Sequence, residues 1–480
     1  MALFSNGYAF TVLARRDPEA VAIICADERV TRLQLEQAAC RLARKLLSKG
    51  VKAGDFVTIA LPNSIAFFEA CLACWKIGAI PNPVSSRLPK RERDQLISLA
   101  KPALIIGVDD DYGDTVVLSG SLADSDEVCA DALPDILPVH GKVMATGGST
   151  GLPKLIVDAK PAATEIDVAP NFMKINGCVL VPGPLYHTGP FVTAMQGLFA
   201  GCRLVVMPRF DAEQAIRLIA EQEVDWVLFV PTMMSRIWKL PEAVKAQYDI
   251  ACLRVVMSTG APTPVWLKQA WIDWLGPEKI IESYGGSERI GATQITGTEW
   301  LQHRGSVGRP VAGTRILILD DKGCEVPVGQ IGEVYLLPAS GEDSTFSYIG
   351  AHAKKVKGYQ TLGDLGYLDA DGYLYLVDRR VDMIVSGGAN IYPAEVEAAI
   401  EACPCVRSCA VIGLPDEDLG QRVHAIVDID RGALDEFALR NHLAEYLVAY
   451  KLPRTIEFVS ELLRDDAGKI RRSALREQRL

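Results

Sequence analysis

With 480 residues and a formal net charge of −10, the chain is long enough for two or more domains and is acidic overall. That balance argues against general nucleic-acid binding, while leaving room for a local basic site that takes phosphates. Apolar residues make up 49 %, ample for a large core, and glycine and proline are spread along the chain, so no long disordered segment is expected.

No run of about 18 uncharged apolar residues reads as a membrane span. The N-terminus lacks a basic region followed by an apolar stretch and a cleavage site. A soluble, cytoplasmic protein is therefore expected. The twelve cysteines agree with a reducing compartment. Cys25 and Cys178 lie in apolar runs, where a reduced thiol is a small core group. Cys71 and Cys74 form a C-x-x-C, but on helical apolar spacing and with no second pair nearby, which favours core packing over metal or redox chemistry.

In chain order, 31–49 predicts a helix with Leu33, Leu35, Leu42, Leu46 and Leu47 as its apolar positions. A strand over 56–61, a helix over 64–78 and a strand over 103–108 follow. Lys142–Ala145 and Leu155–Val157 read as short strands on either side of a loop. Strands are predicted over 178–181, 203–207, 226–230, 255–258 and 279–282, with a helix over 212–222. Strands alternating with helices in this way argue for parallel α/β sheets, whose ligands bind at the carboxyl ends of the strands.

From about Gly305 the texture changes to short strands separated by turns, a β-rich subdomain. Beyond Asp382 comes a compact α+β pattern: helix 393–402, strands 406–414 and 422–428, helix 434–446 and strand 455–459. The boundary is placed in the polar stretch 378–382, giving an N-terminal domain of 1–380 and a C-terminal domain of 381–480. The fold class is thus α/β, with a β-rich subdomain and a small α+β domain at the end.

The most informative stretch is the loop Thr146, Gly147, Gly148, Ser149, Thr150, Gly151, with Pro153 and Lys154 behind it. Glycines let backbone N–H groups approach an anion, hydroxyls add donors, and the lysine adds charge. It is neither G-x-x-x-x-G-K-[ST] nor G-x-G-x-x-G. Taken alone, such a loop is as often a surface turn. Placed between two short strands, it resembles the phosphate loop of the adenylate-forming superfamily, which includes acyl-CoA synthetases, luciferases and peptide-synthetase adenylation domains. It departs from the familiar form only at Leu155, where a glycine is usual.

Four further motifs follow in the order of that superfamily. The first is SYGGSE, 283–288; the resemblance implies that Tyr284 lies along adenine, Ser287 meets the α-phosphate and Glu288 binds Mg²⁺. The second spans 363–380 and contains Asp364 and Arg379, which resemble a ribose-binding pair; an ionised carboxylate accepts hydroxyl hydrogen bonds strongly. The third, 383–397, carries Gly387, Gly388 and Ala389 in a turn that faces the CoA arm in the family. The fourth, 465–472, carries Lys469, otherwise a surface charge but in the family the lysine that reaches in for adenylation. The resemblance also places Gly260, Ala261, Pro262, Glu282, Ser283 and Gly285 at the nucleotide. The hinge, usually Asp or Lys, aligns with Val381, with Asp382 beside it.

The chemistry implied is attack of a carboxylate on the α-phosphate of ATP, giving an acyl-adenylate and pyrophosphate, then displacement of AMP by a thiol. The barrier is an anion approaching a polyanion, which Thr150, Mg²⁺ on Glu288 and Thr150, and Lys469 offset. The small domain rotates between the halves, so Lys469 serves only the first. There is no G-x-S-x-G. His187 is either a helix-capping loop residue or, by resemblance, a gate of the acyl pocket, together with Tyr186, Met233, Met234, Gly260 and Gly285. Methionines suit irregular apolar ligands, and the segments 230–242 and 386–397 most resemble the bile-acid and steroid-side-chain CoA ligase branch, alongside medium- and long-chain fatty acyl-CoA synthetases, which implies a bulky or alicyclic apolar acid. The expected substrates are ATP, a carboxylic acid and coenzyme A, with Mg²⁺ as the ion and no prosthetic group. The alternatives are a medium- or long-chain fatty acyl-CoA synthetase and a stand-alone enzyme loading a carrier protein. No nucleic acid or integral membrane segment is implied, and a homodimer is allowed but not required.

Overall fold

The computed structural model describes residues 3–113, 115–118, 129–147, 153–341, 345–379, 382–429, 434–461, 463–464 and 468–480. Its main layer is a nine-stranded sheet. In spatial order the strands are Arg309–Val311, Ala292–Thr296, Ile280–Gly285, Val255–Ser258, Trp226–Phe229, Cys178–Val181, Arg203–Val206, Val21–Cys25 and Glu28–Thr31. The strands from Ile280–Gly285 to Val21–Cys25 are parallel, and the edges are antiparallel. Cys178–Val181, Trp226–Phe229 and Val255–Ser258 are buried along their whole length, because helices cover both faces.

A second, parallel sheet of four strands runs Ile80–Pro83, Phe56–Ile59, Leu104–Ile106 and Val116–Leu118. Three helices, Asn6–Arg16, Arg32–Ser48 and Ile65–Lys76, pack together between the layers. Thr31 and Gln34 form a reciprocal cap that starts Arg32–Ser48, and its Leu35, Ala39, Leu42 and Leu46 face inward. Ile65–Lys76 starts at the Ser64 cap and is buried nearly all round. Lys76 at its end is buried too, and its Nζ donates to Glu36 at 2.7 Å and to Thr11 at 2.9 Å, tying all three helices together. Removing one partner of such a pair leaves a charge buried alone, which costs far more than the intact pair contributes.

The β-rich part is antiparallel, with Arg315–Leu319, Gly332–Leu337, Tyr359–Leu368, Lys355–Val356 and Leu374–Arg379 in one sheet. Val143–Gly147 and Pro153–Asp158 pair as a hairpin, with Phe346–Ile349 alongside. The last hundred residues build a core of their own from Ile384, Ile391, Val396, Ile400, Val411, Val423, Val427, Leu439 and Leu443. Its strands Val406–Asp416 and Gly420–Ile429 are antiparallel, and Thr455–Val459 lies parallel to the second. Polar contacts are among those that join the two described cores. Lys239 donates to the Val406 carbonyl, and Arg471 pairs with Glu92 at 2.9 Å. Among the described residues no helix is long and apolar enough to cross a membrane.

Candidate active site

The parallel strands Cys178–Val181, Trp226–Phe229, Val255–Ser258 and Ile280–Gly285 end on one side, and the sequence-predicted residues gather there. Gly260, Ala261 and Pro262 are exposed just beyond Val255–Ser258, with Gly260 at φ 90°. Thr259 donates to the Ser283 carbonyl at 2.8 Å, so the ends of two neighbouring strands are joined directly. Tyr284 is half-buried and Gly285 exposed at the end of the next strand.

Glu282 is corrected by the structure. Its carboxylate points into the sheet, 2 % exposed, where it accepts from Lys268 Nζ at 2.7 Å and from the Thr263 amide at 2.9 Å. It offers no side-chain contact to a nucleotide. Burial lowers the Lys268 ammonium below its ordinary pKa, and the adjacent Glu282 charge works against that shift. The pair anchors the strand that carries Ser283, Tyr284 and Gly285.

Tyr284 and Asp364 stand 80 residues apart in the chain and meet here, the phenol donating to Asp364 Oδ2 at 2.8 Å. Asp364 is 9 % exposed and faces Arg379 in the strand register. An aromatic face, a carboxylate and the strand bearing Arg379 thus converge on one spot. A planar base with a diol-bearing sugar matches that set.

The loop hairpin has the predicted form up to its tip, with Thr146 opposite Lys154 and Gly147 opposite Pro153. Gly148, Ser149, Thr150 and Gly151 lie outside the described residues. Below the loop, Lys142 Nζ and Asp158 Oδ1 form a buried pair at 2.7 Å that fixes the base of the hairpin. Lys154 extends to 3.7 Å from Glu288 Oε1 and stands 3.9 Å over the ring of Tyr348. Tyr348 donates to the same carboxylate oxygen at 2.6 Å. Burial and the Glu288 charge hold that phenol well above its ordinary pKa, so it stays a donor. A half-buried carboxylate with a lysine beside it suits a hard divalent cation that takes its remaining ligands from phosphates and water. Ser287 lies half-buried in the same turn.

His187 closes the loop after Cys178–Val181 and starts the helix Thr188–Phe199 without a side-chain cap, so the capping alternative does not hold. Its ring leans on Tyr186, centroids 4.5 Å apart, and its Nε2 is enclosed with no partner among the described residues. Burial, and after it the positive charge of Lys469, lower its pKa to about 3. The imidazole is therefore neutral at physiological pH, and carries no cation into the site. Asn63 shapes this loop: its amide donates to the Gly183 and Met207 carbonyls, and its oxygen accepts from the Leu185 amide at 2.9 Å.

Two acyl-pocket expectations separate. Met233 is 3 % exposed and extends toward Gly183 and Pro190, next to the His187 loop. Met234 is fully enclosed in the core with Ile237 and Trp271, so it has no surface for a ligand. The helix Pro231–Trp238 points its two methionines in different directions because neighbours in sequence stand about 100° apart.

From the other core, Gly468 comes up against Thr232, just beyond the carboxyl end of Trp226–Phe229. Gly468 has φ 75°, and a Cβ there would stand 2.6 Å from Thr232 Oγ1. Only glycine allows both that backbone and that approach. Lys469 follows it, exposed, and its positive charge acts on His187. Gly387 and Gly388 form the predicted turn between the strands Ile384–Ser386 and Ala389–Ile391, and Ala389 opens the second strand. Val381 lies outside the described residues. Asp382 is held by Arg472 at 3.0 Å. Sequence reasoning missed Tyr348, Lys268 and Asn63. Tyr348 sits in an ordinary strand, Phe346–Ile349, and no spacing ties it to Glu288, 60 residues away.

Comparisons with known proteins agree with this layout. The profile of the AMP-binding enzyme family matches residues 10–337, and that of the AMP-binding enzyme C-terminal domain matches 395–469. The long-chain-fatty-acid–CoA ligase FadD13 of Mycobacterium tuberculosis is 30 % identical over 94 % of this chain and 93 % of its own. A feruloyl-CoA synthase of an Amycolatopsis species is 31 % identical over 96 % of each. Among solved structures, ATP-bound MatB from Rhodopseudomonas palustris aligns with a TM-score of 0.80 at 25 % identity, covering 98 % of this chain and 99 % of that one.

Proposed function

We propose, from the premise that this chain belongs to the AMP-binding enzyme family, that it is an ATP-dependent acid–CoA ligase which forms an acyl-adenylate and then an acyl-CoA thioester. The observation that carries this reading is the strand-end convergence of Tyr284 with Asp364 and of Lys154 with Glu288, with Gly468 of the separate core seated against Thr232 and the Lys469 charge acting on His187. Tyr284 and Asp364 take adenine and ribose, with Arg379 on the adjacent strand. Thr146, Gly147, Gly148, Ser149, Thr150, Gly151, Lys154 and Ser287 take the phosphates.

In the first half-reaction the acid's carboxylate oxygen bonds to the α-phosphorus, and the bond to pyrophosphate breaks. Lys154 and Lys469 lower the repulsion between the two anions. Tyr348, kept protonated, orients the Glu288 carboxylate. Glu288, with Thr150, would hold Mg²⁺, which supplies charge neutralisation on the phosphates when bound. In the second half the thiol sulfur attacks the acyl carbonyl and AMP leaves with the bonding pair. The turn at Gly387, Gly388 and Ala389 lines the thiol path, and the neutral imidazole of His187 shapes the acyl end without repelling a cation or attracting an anion.

The domains are assigned as 1–380 and 381–480, with Val381 or Asp382 as the hinge. The acid is assigned as bulky and apolar, supported by Met233 beside the His187 loop and by relatives that act on long-chain fatty acids and on ferulate. A cytoplasmic location is supported by twelve free cysteines. The test is product analysis with purified protein, ATP, Mg²⁺ and a panel of carboxylic acids, with and without CoA. AMP and an acyl-CoA mass appearing together support the ligase and identify its acid class. Pyrophosphate and a trapped acyl-adenylate without CoA product would replace it by carrier loading.

A further inference from the structure

The loop that carries Lys469 is pinned on both sides by half-buried arginines. Before it, Arg464 donates to the Gly468 carbonyl at 3.2 Å and to Glu401 Oε1 at 2.8 Å, and pairs in a β-bridge with Ile470. After it, Arg472 donates to both oxygens of Glu397 at 2.8 Å and to Asp382 Oδ2 at 3.0 Å. Glu397 is itself 5 % exposed and oriented by the Val411 amide at 2.8 Å. Glu397 and Glu401 belong to the helix Pro393–Glu401, one turn apart on the same face. Asp382 lies at the hinge side of the same core.

We propose that Arg472 is a positioning residue for adenylation: by bridging Glu397 and Asp382, it makes the Lys469 loop, the helix Pro393–Glu401 and the hinge-side segment one rigid piece. The inference rests on the reading of Lys469 as the adenylating lysine. A lysine on a flexible loop spreads its ammonium over several ångströms, and a misplacement of about 1 Å costs on the order of 100-fold in rate. A planar guanidinium held by two carboxylates at fixed angles removes that freedom, where an ammonium would not. The clamp lies wholly within the C-terminal core, so it travels with the rotation and sets where Lys469 arrives. The turn at Gly387 is held separately, by Gly387 N–H to the Leu419 carbonyl at 2.9 Å and by Ile384 and Ile391 in the core. Loosening Arg472 therefore spares the turn.

The test measures the two half-reactions apart: pyrophosphate release from ATP and acid, and thioester formation from supplied acyl-adenylate and CoA. Arg472→Gln is expected to slow the first by roughly 30-fold and the second by less than about 3-fold. Arg472→Lys keeps the charge but not the planar fork, and should recover little of the first. Arg472→Gln added to Lys469→Ala should cost nothing further, since both act through one ammonium. Equal losses in both half-reactions, or losses that multiply in the double variant, would overturn the proposal. Should Arg472→Gln fail to fold, Asp382→Asn removes one partner and leaves Glu397. It should show the same split at roughly 5-fold, and no split there overturns the proposal as well. A Lys469→Ala enzyme with no split would instead overturn the reading on which the proposal rests.

Discussion

The two walls of this site are held by opposite means. The strand-end wall is part of a nine-stranded sheet, and a buried charge pair, Lys268 with Glu282, anchors it to the helix Val265–Leu275 behind. The lysine wall is a loop on a smaller core. Charge pairs lock it to its own helix, and its described contacts with the larger core include Gly468 against Thr232 and the exposed Arg471–Glu92 pair. On the proposed assignment, groups that bind substrate throughout are fixed to the large core, and the lysine assigned to adenylation alone sits on the smaller one, where exposed polar contacts between domains contribute little and are easily exchanged.

The largest effect should come from removing the travelling group itself. Lys469→Ala is expected to slow adenylate formation by about 10³-fold, the range seen when one preorganised electrostatic donor is lost. Thioester formation from supplied acyl-adenylate should stay near normal. Single-turnover assays of each half read this, and equal loss in both would erase the distinction between the walls.

The fixed wall breaks differently. Glu282→Gln keeps the shape but leaves the Lys268 ammonium buried without its counter-charge, an expected loss of about 3 kcal/mol in unfolding free energy. Urea unfolding measures it. Both half-reactions should weaken together in whatever enzyme remains folded. An unchanged unfolding midpoint would mean that the sheet, and not the pair, holds this wall.

Much of both walls was legible in the sequence, for different reasons. Cys178–Val181 and Val255–Ser258 have the predicted bounds, because a fully buried parallel strand is a short apolar run cut off by turn residues. The helix Pro393–Glu401 ends one residue early, within ordinary end fraying. What was not legible is pairing across distance. Nothing in the spacing joins Arg472 to Asp382, 90 residues away, or Tyr284 to Asp364, 80 away. Glu282 misled for a related reason. It adjoins SYGGSE, but successive strand residues face opposite ways, and the side chain of Glu282 faces the core.

A third change probes the moving domain without touching Lys469. Gly388 has φ 83° with open space where a side chain would go. Gly388→Trp places bulk there, and is expected to slow the thioester step by roughly 30-fold, about 2 kcal/mol in activation free energy, while adenylation changes little. It is the mirror image of Lys469→Ala. Unaffected CoA turnover would show that this turn does not line the thiol path.

The smallest expected effect joins the two walls through one imidazole. His187 is on the fixed wall, and its pKa is lowered to about 3, first by burial and then by Lys469. In the unfolded chain the same ring titrates near 6.5. Folding therefore excludes a proton below that value, so the stability His187 contributes is complete above about pH 6.5 and declines as pH falls toward 3. Between pH 7.5 and pH 5 the decline attributable to this ring should be about 1–2 kcal/mol, allowing for its half-buried position. Thermal midpoints of the native enzyme and His187→Gln at both pH values isolate it, since every other titrating group is common to the pair. The variant should lose less on acidification. In a Lys469→Ala background the gap should narrow slightly but persist, because burial is the larger cause. A gap that vanished there would mean that the charge of the visiting lysine, more than the apolar surroundings of the fixed wall, keeps the ring neutral. Parallel losses in the native enzyme and His187→Gln would mean that the ring is not held neutral at all.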